Sequence, residues 1–162
     1  MPTPTISTPT AVTPAEPARA APGPGPRRVL VVIDEACIEP FVCTRVLAAA
    51  RGEPLETFVI SPAHGTAATE WYVDEDAARA EATRRLRSCV SCLDSQGIRA
   101  TGGLADPDPV QAIADALQEF AADEILFVAA PQRPSTWLRR SVIERARRTF
   151  TQPIEHIVMP TD

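Results

Sequence analysis

Residues 28–34, with the sequence RVLVVID, decide the fold of this chain. Five consecutive apolar residues, four of them β-branched, lie between Arg28 and Asp34. An uninterrupted apolar run of this kind is typical of a central strand in a parallel sheet, which helices cover on both faces. Open α/β sheets bind ligands just outside the carboxyl ends of their strands. Asp34 is therefore the first candidate for a side chain that meets a ligand.

The remainder of the chain alternates predicted helices and strands around this stretch. Apolar stripes at helical spacing follow starts at Pro40, Asp74, Pro109, and Ser135 or Thr136. Short apolar runs predict further strands over residues 55–60, 98–101, 125–130 and 154–159. The order β-α-β-α-β-α-β-α-β predicts an α/β three-layer sandwich with a five-stranded parallel sheet, Rossmann-like in architecture.

The two most apolar strands set the predicted strand order. Among the predicted strands, residues 29–33 and 125–130 are the longest apolar runs, so they belong in the middle of the sheet and favour the order 3-2-1-4-5. The topological switch point then lies between the ends of the first and fourth strands. Asp34 and the loop over residues 129–134 are expected to face each other across it.

The first 26 residues differ in composition from the rest. They hold eight of the 17 prolines, five threonines and almost no large apolar side chains. Such a segment cannot bury enough surface to offset its ordering entropy, so residues 1–26 are predicted to be a disordered tail and residues 27–162 the folded domain. The tail is either an extension without function or an arm that binds a partner.

Charge and hydropathy exclude several classes of protein. The net charge of −5 argues against nucleic-acid binding, which favours a basic balance. No run of 18 apolar residues exists to span a membrane, and the N-terminus lacks the apolar core of a secretory signal. These observations, with four cysteines expected to be free thiols, predict a cytoplasmic protein.

The cysteines also raise the question of a zinc site. Cys89 and Cys92 have the two-residue spacing of metal ligands, and Cys37 and Cys43 could complete a set of four. Counted from the starts of their helices, Cys43 lies near the beginning of one helix and Cys89 far along the next. The two pairs are therefore expected at opposite ends of the helical layer, and we predict no metal.

Five short segments, in this order along the chain, resemble the universal stress protein (UspA-like) family. They are the strand over residues 29–34 that ends in aspartate, FVISP at 58–62, ADP at 105–107, ADEILF at 122–127, and SVIER at 141–145 followed by QPI at 152–154. The similarity covers roughly residues 28–160. It implies the same five-stranded α/β fold, and a homodimer formed through the last strand, which runs from Ile154 to Met159.

The family's phosphate-binding loop is degenerate in this sequence. In nucleotide-binding members a loop of the form Gly-x2-Gly-x9-Gly-(Ser/Thr) follows the fourth strand, and its backbone amides approach the ATP phosphates. Here the glycine positions fall on Val128, Pro131 and Arg140, the last interval is one residue shorter, and Ser141 is kept. Proline has no N–H, and side chains at these positions obstruct a close approach.

The residues expected around the nucleoside are better preserved. By the resemblance, Asp34 would contact adenosine and Val59 would lie against the base, with Ser141 and Val142 beside the ligand. Either the domain no longer binds ATP, or its pocket is retuned for a nucleotide with fewer phosphates, such as AMP. In the second case Arg133 or Arg140 would supply positive charge in place of the backbone donors.

No catalytic constellation is visible in the sequence. It contains no Ser-His-Asp order, no HExxH and no P-loop, and a receiver-type phosphotransfer site is excluded because the chain has no lysine. The expected function is that of a universal stress protein-like binding or regulatory module without tight ATP binding, and not an enzyme. One alternative is an adenine-nucleotide binder with slow ATPase activity. The other is a scaffold whose helix presents Arg139, Arg140 and Arg147 to an acidic protein.

Overall fold

The computed structural model describes residues 25–34, 39–63, 74–129 and 136–158, with the backbone alone for residues 39–40 and 136–140. The tail expected over residues 1–26 lies almost wholly outside the described residues. The elements in chain order are β1 (Arg27–Ile33), α1 (Glu39–Ala50), β2 (Leu55–Pro62), α2 (Glu75–Ser95), β3 (Arg99–Ala105), α3 (Pro109–Glu119), β4 (Glu124–Ala129), α4 (Thr136–Thr149) and β5 (Ile154–Val158).

The five strands form one parallel sheet in the order β3-β2-β1-β4-β5. The predicted fold class and strand order are therefore confirmed. β1 lies at the centre, where Val31 pairs with Val59 of β2 on one side and with Leu126 of β4 on the other. Every residue of β4 is buried, as are the last five of β1, so the two apolar runs occupy the middle of the sheet.

Two helices cover each face of the sheet. The alternate residues Val29, Val31 and Ile33 pack with buried side chains of α1 and α2. Leu30 and Val32, which point the other way, pack with buried side chains of α3 and α4. Alternate residues of β1 thus pack on opposite faces of the sheet. Because both faces are buried, β1 must be apolar throughout.

The helix boundaries follow the capping signals in the sequence. The Asp74 carboxylate caps α2 by accepting hydrogen bonds from the amides of Asp76 and Ala77, both at 3.1 Å. Pro109, whose missing N–H costs nothing in a first turn, begins α3. After α2 the chain turns at Gly97, which has a φ of 76° that side-chain-bearing residues rarely adopt.

The third strand is longer than the sequence predicted. The apolar pattern ended the strand at Thr101, but β3 continues to Ala105 along the edge of the sheet. The added part includes Gly102 and Gly103, although glycine is rare in strands. Both pair in register with β2, opposite Val59 and Ile60, and the close packing described below accounts for the first of them.

The predicted positions of the cysteines were wrong. Cys43 of α1 and Cys92 of α2 form a disulfide, with their Cα atoms 6.9 Å apart, whereas the sequence argument placed them at opposite ends of the layer. The distance of each cysteine along its helix should be counted from the C-terminus of that helix. Short turns after α1 and α2 lead into β2 and β3, so the two C-termini lie at the same edge of the sheet. Cys43 lies seven residues before the end of α1 and Cys92 three before the end of α2, a difference in depth of roughly 6 Å.

This disulfide also removes one argument about the cell compartment. The expectation of free thiols fails for Cys43 and Cys92, so the cytoplasm can no longer be inferred from them. Cys89 is buried nearby in the same core, and Cys37 lies outside the described residues. Among the helices that the structure describes, none has both the length and the hydropathy needed to cross a bilayer.

The two glycines of β3 should respond differently to the same substitution. A Cβ at Gly102 would overlap the carbonyl oxygen of Val59 and lie 2.7 Å from Leu86 Cδ1, whereas a Cβ at Gly103 would meet no atom within 4 Å. We expect Gly102→Ala to lower the free energy of unfolding by about 1–3 kcal/mol, as overpacking does. Gly103→Ala should leave it unchanged or raise it slightly. Urea unfolding of the two variants measures this, and equal losses would contradict the packing of α2 on β3.

Candidate functional site

Asp34 lies at the topological switch point of the sheet. It follows the last residue of β1, and its backbone amide donates a hydrogen bond of 3.1 Å to the carbonyl oxygen of Val128 on β4. From here the chain continues to α1 on one face of the sheet, while β4 continues to α4 on the other. The Asp34 side chain is only 5% exposed. A carboxylate is thus buried at the place where ligands bind to open α/β sheets.

A buried arginine shares this region with Asp34. Arg85 projects from the middle of α2 and is 5% exposed, and its Nη2 donates a hydrogen bond of 3.1 Å to the carbonyl oxygen of Pro62 at the end of β2. Val32 pairs with Ile60, so two residues further along Asp34 is level with Pro62. Arg85 therefore reaches the carboxyl edge of the sheet beside β1.

The charges around Arg85 have opposing effects on its pKa. Burial of the guanidinium lowers the pKa of Arg85, while the carboxylates of Glu81 and Asp34 raise it. An arginine stays protonated at neutral pH despite such burial, because its unperturbed pKa is so high. The positive charge of Arg85 therefore acts electrostatically on Asp34 within the protein interior.

Two buried polar atoms at this edge have unused hydrogen-bonding capacity. Within the described part of the chain, neither Nε of Arg85 nor Oγ of Ser61 has a hydrogen-bond partner. Ser61 lies one residue before the end of β2 and is fully buried. Buried polar groups in native proteins are nearly always satisfied. An N–H and an O–H donor at one edge of the sheet are suited to acceptor atoms such as hydroxyl, phosphate or carboxylate oxygens.

The structure brings some of the predicted site residues together. Asp34 and Val128 are hydrogen-bonded neighbours across β1 and β4. Val59 pairs with Val31, three residues before Asp34, and is wholly buried in the core between the sheet and α1 and α2. It lies roughly 10 Å below the level of Asp34 at the rise of a β-strand. Contact of Val59 with a base stays a prediction.

The residues predicted to surround the phosphates are only partly described. Pro131 and Arg133 lie outside the described residues, and Arg140 is placed by its backbone in α4. Ser141 is exposed on α4, and Val142 is half-buried against the core on that face. Their contacts with a ligand stay predictions.

The arginine-rich helix is partly engaged within the protein. Arg147 Nη2 donates a hydrogen bond of 3.1 Å to the carbonyl oxygen of Ile154, and Arg145 forms an ion pair with Asp108 at the start of α3. Arg139 and Arg140 lie on the same helix, with side chains outside the described residues. Across the described ranges, no three His, Cys, Asp or Glu side chains are grouped as metal ligands.

Sequence reasoning missed Arg85, although a signal was present. The buried positions of α2 are Ala78, Ala82, Arg85, Cys89 and Leu93. Their spacings of four, three, four and four residues form one helical stripe, and Arg85 is its only charged member. Hydrophobicity alone favours the neighbouring Leu86 for the third inward position, because it is apolar and Arg85 is not. A charge at the buried position of an amphipathic stripe was the available sign of a polar site.

Comparisons with known proteins identify the fold. A scan against models of protein families and a search of curated proteins return no match. Solved structures do match. A universal stress protein from Archaeoglobus fulgidus in complex with dAMP has 21% identity and a TM-score of 0.57 over 81% of this chain and 97% of its own. Another structure of a universal stress protein from that organism has 22% identity and a TM-score of 0.56 over 81% and 93%.

A third match comes from a bacterium. A protein of the universal stress protein family from Burkholderia pseudomallei has 19% identity and a TM-score of 0.51 over 82% of this chain and 96% of its own. Each of these proteins is matched over nearly its whole length. The chain thus has the universal stress protein fold, and the resemblance predicted from its sequence is confirmed at the level of fold.

Removing Arg85 should lower the free energy of unfolding, and part of that loss should depend on Asp34. We expect Arg85→Met to lower the free energy of unfolding by about 1–3 kcal/mol, because it removes the buried hydrogen bond to the Pro62 carbonyl and a positive charge that acts on Asp34. In the double variant with Asp34→Asn, the loss should be smaller than the sum of the single losses by about 1–3 kcal/mol. Urea unfolding of the four proteins gives this coupling energy.

The matched control is the neighbouring Arg84, whose side chain is 74% exposed and pairs with Glu81. Arg84→Met should change the free energy of unfolding by less than about 1 kcal/mol, as expected for a surface ion pair. Strictly additive losses for Arg85→Met and Asp34→Asn would mean that the two side chains are not coupled.

Proposed function

We propose that the chain is a divergent universal stress protein that acts as a small-molecule-binding, regulatory module without tight ATP binding. The observation that carries the proposal is the buried Asp34 at the end of β1, with the Arg85 cation beside it. A buried charge pair contributes little net stability compared with apolar residues of similar volume. Its position at the ligand-binding edge of an α/β sheet favours a role in binding.

The degenerate loop supports the absence of tight ATP binding. Val128, at the first glycine position, lies within β4 and is 1% exposed, paired with Ile33 on one side and Ile157 on the other. Its backbone belongs to the sheet, where it is not available to a phosphate. Pro131, at the second position, has no N–H to donate. Two of the expected backbone donors are therefore missing from a triphosphate cradle.

A nucleoside monophosphate is the ligand that these features favour. The Archaeoglobus fulgidus protein of the same fold forms a complex with dAMP, which has a single phosphate. Here Arg85, with unused Nε–H capacity in the described part of the chain, and Arg133 or Arg140 would contribute side-chain donors in place of the backbone cradle. The alternative of an ATP binder with slow ATPase activity requires the degenerate loop to hold three phosphates.

The scaffold alternative depends on α4. Residues 133–148 contain six arginines and one glutamate, and Arg139, Arg140 and Arg147 would face an acidic protein partner. The bond between Arg147 and Ile154 lowers the number of donors available for such a partner. We therefore rank this function below ligand binding.

A homodimer through β5 is part of the proposal. β5 is an edge strand of the sheet, and Val158 at its end is a large apolar side chain with 50% exposure. Pairing of two such edges would satisfy backbone groups and cover Val158. We further propose that residues 27–162 are the folded unit and that the protein is cytoplasmic.

Nucleotides with fewer phosphates should stabilise the protein more. We expect AMP and dAMP to raise the melting temperature more than ATP does at equal concentration. At 100 times the Kd, a ligand adds about 2.7 kcal/mol, which corresponds to roughly 5–10 °C for a domain of this size. Thermal unfolding with each nucleotide, and with none, measures the effect.

Asp34→Asn should abolish these shifts, while Arg84→Met, on the exposed side of α2, should keep them. Circular dichroism of Asp34→Asn without ligand confirms that the variant is folded. The absence of a shift with every nucleotide would refute both nucleotide functions. A larger shift with ATP than with AMP would refute the argument from the degenerate loop.

The dimer is tested by disturbing the β5 edge. Proline at residue 158 removes a backbone N–H and cannot join a sheet that continues across the interface. Light scattering should give a dimeric mass for the unmodified chain and for Val158→Thr, and a monomeric mass for Val158→Pro. A monomer in the unmodified protein would end the proposal.

A further inference from the structure

A concave site lies over the edge strand β3. It is a cavity of about 740 Å³ between α3, the edge strand β3 and the first turns of α2. Phe58 and Ile60 of β2 form its floor, and Leu104 of β3 lies on its rim. Among the described residues that line it, none belongs to β1 or β4, so this groove is centred on β2 and β3 rather than on the ends of β1 and β4.

The groove exists because small residues face one another across it. Gly103 and Ala105 of β3 lie opposite Ala112 and Ala116 of α3. The helix packs over the neighbouring strand, where Phe120, just after α3, stacks on Phe58 with ring centroids 5.5 Å apart. Among the described residues, therefore, none places a large side chain above Gly103 on this face of β3. A Cβ built on Gly103 would meet no atom within 4 Å.

The charges around the groove are strongly biased toward the acidic. Of the charged side chains that line it in the described part of the chain, four are carboxylates and one, Arg79, is a cation. Two carboxylates are oriented by hydrogen bonds, since Asp115 accepts from Gln111 Nε2 at 2.8 Å and Asp106 accepts from the Asp108 amide at 2.8 Å. The other two, Glu75 and Glu119, are exposed.

We propose that this groove binds a small organic cation, in which an ammonium or guanidinium group is joined to an apolar body. Its volume lies within the range of about 300–1,000 Å³ that small-molecule sites occupy. The apolar body would cover Phe58, Ile60 and Leu104, and the cation would pair with Asp115 and Glu119 at the rim. The same carboxylates repel anions, so this ligand is of a different class from the nucleotide proposed above.

A pair of probes with one apolar body and opposite charges tests the proposal. 4-Phenylbutylamine carries an ammonium group at neutral pH and 4-phenylbutyrate carries a carboxylate. Each is titrated into ¹⁵N-labelled protein, and backbone amide shifts are followed by NMR. We expect saturable shifts with the amine that are confined to β3, α3 and the start of α2. The butyrate should bind at least tenfold more weakly.

Two variants establish where the amine binds. Gly103→Val adds a side chain into the groove at a position where a Cβ would meet no atom within 4 Å, and it should weaken amine binding at least tenfold while the protein stays folded. Asp115→Lys reverses one exposed rim charge, and it should weaken the amine and strengthen the butyrate several-fold. The second variant lies on the helix surface and keeps the test valid if Gly103→Val is unstable.

Three results would overturn the proposal. They are no saturable shift with the amine, equal affinity for amine and butyrate, and amine binding that neither variant alters. The test is independent of the function proposed above, because AMP should still shift amides near Asp34 in Asp115→Lys. If the unmodified protein binds no nucleotide, the expected binding of the amine in the groove does not change.

Discussion

The parallel pairing of β1 with β4 is the constraint on which the rest of the structure depends. These strands are the most apolar in the chain, and hydrogen bonding between them continues to the amide of Asp34 and the carbonyl of Val128. β1 leads to α1 on one face of the sheet, and β4 leads to α4 on the other. In open α/β sheets the ligand site lies at such a point, and in this fold Asp34 occupies it.

The chemistry of this site is set by a carboxylate and a guanidinium inside the protein. Asp34 and Arg85 are each 5% exposed, and Arg85 is anchored to the end of β2 through the Pro62 carbonyl. In a nucleotide-binding relative the phosphates would be held by backbone amides after β4. Here the first glycine position, Val128, belongs to the sheet itself. The function proposed above therefore relies on side-chain charge from α2 and α4, rather than on a backbone cradle, to recognise a smaller anion.

The sequence predicted what depends on hydrophobic periodicity and missed what depends on contact between distant segments. β1 and β4 could be identified because burial on both faces demands continuous apolar residues. Arg85 falls on the buried stripe of α2, but its partner is the Pro62 carbonyl of a distant strand, so the stripe alone did not show what its charge meets. The contact of Cys43 with Cys92 was misjudged because unequal loops before the helices make their starts a poor reference. The length of β3 was underestimated because pairing with β2 overrides the low strand propensity of glycine.

The central claim is that a small anionic ligand binds where β1 and β4 end. The measurement that tests it most directly is a map of backbone amide NMR shifts of the full chain during titration with dAMP. The account predicts saturable shifts that centre on Asp34, Ser61 and Ala129 at the carboxyl ends of β1, β2 and β4. Shifts confined to other regions, or none at millimolar dAMP, would contradict it.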